Sequence, residues 1–326
     1  MTNPLDPDTV EAALELAVRA PSIHNSQPWR FRVGPDSIAL HADPARQLDA
    51  TDPDGRDRLI SCGAALHHLR VALAGLGWLA VTDRLPNPDQ PEHLATIRVK
   101  PRVSTHAELA MAVSIPRRRS DRRGYDSRPV PDDCLDELVR RAAAERVRLH
   151  VVHGAARTHL VSAIADADAL QRTNPAYVNE LARWTGRRAG AEDGVPTASV
   201  PAARAYGDLP VRQFATLNLH RTVASEEDGA GTLLVLGTGT DDRMSRLRAG
   251  EATSAVLLAA TRMGLATCPL TQPLEIPATR TVVRDAVLHA ELIPQMVLRI
   301  GWPPEHPNPF PPTRRQPTSA VTEYLT

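Results

Sequence analysis

The first hundred residues alternate between a helical and an extended hydrophobic period. A helix is predicted near the N-terminus, with one apolar face formed by Val10, Ala13, Leu14, Ala17 and Val18. Asp8 followed by Glu11 is typical of a capped helix start, and Pro21 ends this helix. Alternating apolar residues on both sides of the turn "GPDS" predict a β-hairpin over about 29–40. A long helix is predicted next, over about 57–76, followed by the extended stretches "WLAVTDRL" and "ATIRVK".

The pattern resumes near Glu108 with a longer series of elements. A helix leads into "IPRRRSDRRGYDSRPVPDD", and a second helix is predicted from Asp132 to Ala144, followed by the strand "VRLHVVH". Two helical stretches cover roughly 156–185, and residues 186–212 form a poorly periodic segment rich in Gly, Pro and Ala. The remaining elements are the strand "TLLVLGT", a helix over about 242–263, a helix after Pro277, the strand "PQMVLRIGW" and a proline-rich tail.

An internal repeat relates the two long helices. The stretch "GAALHHLRVALAGLGWLA", from Gly63, aligns with "GEATSAVLLAATRMGLAT", from Gly250, and Gly77 aligns with Gly264. Each helix is followed by an extended stretch, a proline-bearing link and another strand. An amphipathic helix that ends in glycine is common, so coincidence is an alternative. The shared order of elements predicts a duplicated unit, with a first half over 1–106 and a second half over 107–326.

Residues 20–29, "APSIHNSQPW", place many hydrogen-bonding side chains in one turn between a helix and a strand. We call this stretch the corner. A helix stop and a tight turn account for its two prolines but not for its amide and hydroxyl groups. The corner is therefore a candidate binding element.

The densest basic cluster is "PRRRSDRRGY", over 116–125. If Arg118, Ser120 and Arg122 alternate on an extended turn, their side chains converge on one side. Two guanidinium groups and a hydroxyl suit a phosphomonoester, although a solvated basic loop is the alternative. Arg314 and Arg315 form a second basic pair in the tail. Together with the first cluster, this pair would make a two-part phosphate clamp.

Three other stretches are weaker candidates. "GLATCPLT", over 264–271, predicts a helix end with backbone N–H groups free to meet a ligand, although an ordinary helix-to-strand link fits as well. "GTGTDD" lacks the third glycine of a dinucleotide loop. "HVVH" places its two imidazoles on opposite faces of a strand, which argues against a shared metal ion.

Composition limits the classes of partner. The 326 residues carry 38 basic and 38 acidic side chains, so nucleic acid and anionic membranes are not expected partners. Three distant cysteines and no CxxC pair favour reduced thiols and argue against a metal site. The first residues lack the pattern of a signal peptide, and no apolar run reaches the roughly 18 residues of a membrane span. We therefore expect a cytoplasmic protein. Its hydrophobic residues, 42% of the chain, suffice for a sizeable core.

The motifs taken together resemble the FMN-dependent nitroreductase family. The resemblance runs over essentially the whole chain and rests on "APSIHNSQPWRF", "RRSDRR" before "PVP", "GLATCPLT" and "PQMVLRIGWP…PPTRRQP". It is closest to the actinobacterial Acg branch, in which two nitroreductase-like halves are fused. The resemblance implies an α+β, nitroreductase-like fold, duplicated in one chain as an intramolecular pseudo-dimer, and hence a monomer.

The resemblance also implies which residues bind FMN. The corner of the first half would meet the flavin ring, and the second half would hold the phosphate. The implied FMN-binding residues are Pro21, Ser22, Ile23, Asn25, Gln27, Arg118, Ser120, Arg122, Pro269, Leu270, Thr271, Arg314 and Arg315. A buried flavin edge must have its donors and acceptors satisfied, which would explain the polar corner. No residue stands out as a general acid or base, as expected where the cofactor carries out hydride chemistry.

The first half departs from the family pattern. It has no Arg-x-Ser-x-Arg motif before its first helix and no counterpart of "CPLT". We therefore expect one FMN per chain. Two functions stay open: FMN storage or sequestration under a lid over about 186–212, and NAD(P)H-dependent reduction of nitroaromatic or quinone-like acceptors. A flavin-free scaffold is disfavoured by the intact phosphate motif.

Overall fold

The computed structural model describes residues 6–188, 190–200, 205–210, 212, 214, 231–304 and 312–325. Its helices are α1 (Pro7–Ala17), α2 (Arg56–Gly75), α3 (His106–Ser114), α4 (Asp132–Ala144), α5 (Gly154–Arg172), α6 (Pro175–Trp184), α7 (Arg243–Arg262), α8 (Gln272–Glu275), α9 (Pro277–Val282) and α10 (Thr318–Val321). Its strands are β1 (Trp29–Val33), β2 (Ser37–Ala42), β3 (Trp78–Arg84), β4 (His93–Pro101), β5 (Arg148–Val152), β6 (Thr185–Arg187), β7 (Val195–Pro196), β8 (Ala205–Tyr206), β9 (Leu209–Pro210), β10 (Thr232–Thr238), β11 (Ala266–Leu270), β12 (Ile293–Gly301) and β13 (Thr322–Tyr324).

Most predicted elements are confirmed within a few residues. The hairpin forms as β1 and β2, and the two long helices form as α2 and α7. The predicted cap of the first helix is wrong: Asp6, not Asp8, accepts a hydrogen bond from the Thr9 backbone N–H at 2.8 Å. Pro7 follows this cap at the first helical position, where its missing N–H costs nothing.

Two sheets organise the chain. The strand order of the first sheet is β13-β1-β2-β4-β3, and that of the second is β11-β12-β10-β5. Apart from β13, which runs parallel to β1, every pairing in these two sheets is antiparallel. In the first sheet, β3 follows α2 and lies at one edge, β4 lies beside it, and β2, which precedes α2, comes third. In the second sheet, β11, β12 and β10 have the same order relative to α7.

The long helices α2 and α7 pack against each other between the sheets. Both are buried on nearly all sides, as a helix in the middle of a large core must be. The contact is closest at Gly63 and Gly250, where a Cβ built on Gly63 would lie 2.1 Å from the Leu247 carbonyl oxygen. A Cβ built on Gly250 would lie 2.0 Å from the carbonyl oxygen of Ile60. Glycine at both positions therefore lets the two backbones touch.

The C-terminal tail returns to the first sheet. Strand β13 adds an edge beside β1, and the Leu325 backbone N–H continues the ladder by donating to the Val33 carbonyl oxygen at 2.8 Å. The tail residues before β13 thereby come to lie beside the corner. In the part of the chain that the structure describes, no helix combines the length and the apolar content needed to cross a bilayer.

Candidate functional site

A cavity of about 1500 Å³, including the part open to solvent, lies where the corner, α2, β11 and the tail meet. We call it the main cavity. Eleven of the thirteen predicted site residues line it: Pro21, Ser22, Ile23, Asn25, Arg118, Ser120, Arg122, Pro269, Leu270, Thr271 and Arg315. Residues from distant parts of the sequence thus meet at one concave site, as expected of a cofactor pocket.

The predicted basic motif forms one end of the main cavity. It follows α3 and is fixed to β11, because the Asp121 backbone N–H donates to the Thr267 carbonyl oxygen at 2.8 Å. The Tyr125 hydroxyl donates to the Asp121 carbonyl oxygen at 2.9 Å and holds the following turn. Arg118, Ser120 and Arg122 all line the cavity from this anchored loop, as their alternation predicts.

Three guanidinium groups at this end lack carboxylate partners among the described residues. Arg118 is only 5% exposed, and its Nε and Nη1 atoms are buried without a hydrogen-bond partner in the described chain. Arg315 donates to the backbone carbonyl oxygens of Thr313 and Ala20, and its Nε is likewise unpartnered there. Arg122 donates to the Ser199 carbonyl oxygen at 3.3 Å. Buried donors of this kind carry a desolvation cost that a bound anion would remove.

Burial first, and then neighbouring positive charges, lower the pKa values of these three arginines. Burial, followed by the nearby Arg119 and Arg122, lowers the pKa of Arg118 to about 10. Burial and then Arg118 lower the pKa of Arg315 to about 9. Burial also lowers the pKa of Arg122. These surroundings disfavour the charged forms, so an anion of two charges bound beside them would be strongly stabilised.

The corner forms a second wall with a different hydrogen-bonding character. Its backbone is fixed to α2, because the Ile23 backbone N–H donates to Ser61 Oγ at 3.1 Å. Asn25 uses its Nδ2 to donate to the Gly194 and Arg314 carbonyl oxygens, at 3.1 and 3.2 Å. Its Oδ1 is buried and has no donor among the residues described. Among the residues that line the cavity, the corner thus contributes an acceptor, and the arginine end contributes donors, without a partner in the described part of the chain.

Two predicted site residues do not line the main cavity. Gln27 is fully buried beneath the corner, where its Nε2 donates to the Glu192 carbonyl oxygen at 2.8 Å and its Oε1 accepts from the Gln316 backbone N–H at 2.9 Å. The Arg314 side chain is exposed, and only its backbone carbonyl faces the corner. Contact of either side chain with a ligand stays a prediction.

The segment 186–212, which we call the cover segment, contributes a third wall. Gly194, Val195, Pro196, Ser199, Leu209, Pro210 and Arg212 line the cavity, and Phe214 follows just outside the segment. The cover segment is fastened to the corner side by the Asn25 and Gln27 amides and by an ion pair between Arg46 and Asp193 at 3.0 Å. Residues 189, 201–204 and 211 of the segment lie outside the described residues.

Arg212 joins the cover segment to both halves of the chain. Its Nη2 donates to Glu275 Oε1 at 2.5 Å, and the Glu275 side chain is 1% exposed. Its Nη1 lies 3.1 Å from Nε2 of His24 in the corner. Burial, then the charges of Arg212 and Arg122, lower the pKa of His24 well below the usual range, so the imidazole is neutral and its Nε2 accepts the bond.

The sequence reasoning missed several lining residues. The α2 side chains of Asp57 and Ser61 face the cavity one helical turn apart, and His24 lies in the corner itself. A signal was present in the sequence: Asp57 and Ser61 are polar residues at i and i+4, so they share one face of a long helix that was predicted to pack in the fold. Polar groups on a buried helix need a partner, and this pair indicated a site.

Comparisons with known proteins agree with the geometry. The model of the nitroreductase family matches residues 115–302, more than half of the chain. The chain is 49% identical over 321 residues to "Putative NAD(P)H nitroreductase Rv3131" of Mycobacterium tuberculosis, covering 98% of this chain and 92% of that protein. It is 39% identical to the protein named acg of the same organism, covering 96% and 95%.

A solved structure with the same architecture covers nearly the whole chain. It is a nitroreductase from Anabaena variabilis, 11% identical, with a TM-score of 0.50 over 91% of this chain and 88% of that one. This likeness concerns the fold alone. The family match and the two relatives from Mycobacterium tuberculosis establish that the chain belongs to the nitroreductase family.

Proposed function

We propose that this protein holds one FMN in the main cavity, with the phosphate at the arginine end and the ring between the corner and the cover segment. The observation that carries the proposal is a set of three guanidinium groups with no carboxylate partner among the described residues: Arg118 is buried, and Arg122 and Arg315 are partly buried. A phosphomonoester supplies the acceptors that these donors lack. A ring N–H would supply the donor that Asn25 Oδ1 lacks among the described residues. When bound, the flavin supplies hydride and electron-transfer chemistry.

We further infer that the chain is a pseudo-dimer of two related halves. The two sheets share their strand order, and the glycines aligned by the sequence repeat are the ones that meet: Gly63 approaches Leu247, and Gly250 approaches Ile60. Leu247 lies three residues before Gly250, and Ile60 lies three residues before Gly63. The contact is therefore reciprocal, as around a twofold axis. A pseudo-dimer already contains the interface between its halves, which favours a monomer.

The repeat also explains why one flavin site is expected rather than two. Ala64 and Thr271 line the main cavity, and the repeat aligns them with Glu251 and Arg84. Glu251 is completely buried and accepts hydrogen bonds from Arg84 Nε and Nη2, both at 2.7 Å, and from Arg70 at 2.6 Å. A buried ion-pair cluster therefore occupies the position that corresponds to the cavity.

Titration of the flavin-free protein with FMN tests this proposal. We expect saturation at one FMN per chain, because Arg118, Arg122 and Arg315 form one cluster at one end of the main cavity and a buried ion-pair cluster takes the corresponding position in the repeat. The titration is followed by flavin fluorescence and checked by quantifying the flavin released on denaturation. Two FMN per chain would mean that the Glu251 cluster gives way to a second flavin, and no binding would refute the proposal.

For a protein that holds FMN in this way, storage or sequestration of FMN is the role that we favour. The cover-segment residues that line the cavity include the buried Gly194, Val195 and Ser199. Hydrogen bonds fasten the segment to the corner, and an ion pair fastens it to Arg46. If these residues cover the ring, a nicotinamide would have no face of the ring on which to stack. Active NAD(P)H-dependent reduction of small aromatic acceptors is the second candidate, favoured by the 49% identity to a protein named as an NAD(P)H nitroreductase.

The two roles predict different rates of flavin reduction. If the cover segment blocks the ring, NADH and NADPH should reduce the bound FMN slowly or not at all under anaerobic conditions, whereas the smaller dithionite should reduce it. Replacing residues 190–205 with a short Gly/Ser linker should speed reduction by NAD(P)H and leave the phosphate end intact. The reaction is followed by the loss of flavin absorbance.

Asp89→Ala is the control for this replacement, because Asp89 is an exposed residue of the link between β3 and β4 and does not line the main cavity. It should leave the reduction rate unchanged. Rapid reduction of the wild type by NAD(P)H, or no gain after the replacement, would favour the reductase role over storage.

A further inference from the structure

A second cavity lies on the other side of α2. It encloses about 1000 Å³, including open solvent, and is lined by the turn before α2, by α8 and α9, and by the start of β12. Of its acidic residues, Asp54 is exposed, whereas Asp52 and Asp57 are 5% and 3% exposed. Asp57 lines both this cavity and the main cavity, so this residue lies in the wall between them.

Asp57 is also the one acidic residue among the described residues that line the main cavity. The other ionisable groups there are mainly arginines, which do not give up a proton at neutral pH. The neutral, buried His24 already accepts a hydrogen bond from Arg212. A carboxyl group at Asp57 is therefore the group best suited to move a proton in this enclosed space.

From this arrangement we propose that Asp57 is a proton relay, which passes a proton between water in the second cavity and the flavin in the main cavity. The inference rests on the proposed function, because it requires FMN in the main cavity. Two-electron reduction of a flavin to its neutral form takes up two protons. Hydride from a reduced nicotinamide, or from a smaller donor of the same kind, brings two electrons and one proton. Asp57 gives the second proton from its carboxyl oxygen and recovers one from water.

The charges around Asp57 support both protonation states. Arg56 Nη2 lies 2.8 Å from Asp57 Oδ1 and favours the carboxylate, as do the more distant Arg212 of the cover segment and Arg280 of α9. Burial is the larger influence and raises the pKa of Asp57, and Glu275 of α8 acts in the same direction.

Asp52 lines the second cavity beside Asp57. It accepts the backbone N–H groups of Asp57 and Arg58, at 3.0 and 2.7 Å, and so caps the start of α2. Burial and the charge of Asp57 raise the pKa of Asp52 to about 7. Burial also raises the pKa of Asp57, so both carboxyl groups hold a proton more readily than an ordinary aspartate, and both residues line the second cavity.

Reduced-minus-oxidised infrared spectra of the FMN-loaded protein test the relay. Under photoreduction, the wild type should show a change in the protonated-carboxyl C=O band, and Asp57→Asn should lack it. Proton uptake from the medium, followed with a pH indicator, should slow in Asp57→Asn by about tenfold or more. Asp54→Asn is the matched control, since Asp54 lines only the second cavity, and Asp57→Glu should keep the band.

The outcomes separate the relay from the function on which it rests. An Asp57→Asn variant that binds FMN and shows an unchanged band and unchanged proton uptake would overturn the relay alone. A wild type that binds no FMN would overturn the proposed function and the relay together. Loss of the band in Asp54→Asn as well would place proton transfer elsewhere and would also contradict the proposal.

Discussion

Arg118→Ala should weaken FMN binding by about tenfold to a hundredfold, the largest effect that we expect of any single side chain on the cofactor. Arg118 is buried, and two of its nitrogen atoms have no partner in the described chain. Charge-assisted hydrogen bonds contribute about 1.5–3 kcal/mol each, and about 1.4 kcal/mol corresponds to a factor of ten in affinity. Fluorescence titration of the flavin-free variant measures the change, and riboflavin, which has no phosphate, should bind equally well to variant and wild type.

Arg117→Ala is the control for this variant. Arg117 is the preceding residue in the same loop, but it is exposed and does not line the cavity. It should leave FMN affinity within about twofold, as an exposed charge does. The stability of the flavin-free protein gives a further check: removing an uncompensated buried charge should leave stability unchanged or raise it. A loss of stability without a loss of FMN affinity would make Arg118 a structural residue.

Gly250→Ala should be the most destabilising of the conservative substitutions. The added Cβ would lie 2.0 Å from the Ile60 carbonyl oxygen, and the backbone at such a contact cannot move without separating α2 from α7. Overpacking of this kind costs about 3 kcal/mol, which a urea denaturation curve measures as a lower midpoint. Because the contact is reciprocal, Gly63→Ala should cost nearly the same.

Gly239→Ala provides the comparison for both variants. A Cβ at Gly239 meets no other atom within 4 Å, so the substitution should change the free energy of unfolding by less than about 0.5 kcal/mol. If Gly250→Ala and Gly63→Ala were as stable as Gly239→Ala, the helices would not be in backbone contact, and the pseudo-dimer would lose its main support.

The elements of the fold were largely predictable from local pattern. The helix over 132–144 and the strand over 232–238 form within the predicted bounds, because hydrophobic period and capping act over a few residues. The joining of β13 to β1 was not predictable, since it pairs residues about 290 positions apart and a three-residue strand carries no periodic signal.

Some features of the candidate site were likewise predictable from the sequence, and others were not. The arginine loop and the corner are short motifs whose residue types reveal their chemistry, and the structure brings Arg118, Ser120 and Asn25 to one cavity. A glutamine can bind a ligand or a backbone group, and the residue type alone does not decide between them. Only the contacts of Gln27 with Glu192 and Gln316 reveal that it fastens the backbone. Asp57 is functional in our account because two cavities meet at it, and that property belongs to the folded chain.

A crystal structure of the protein with FMN would test the central claim most directly. We expect one flavin between the two halves, with its phosphate within hydrogen-bonding distance of Arg118 and Arg315 and its ring between the corner and the cover segment. A donor of the ring should meet Asn25 Oδ1, which has no donor among the described residues. A phosphate bound outside the arginine end, or a flavin seated in the second cavity, would contradict the account.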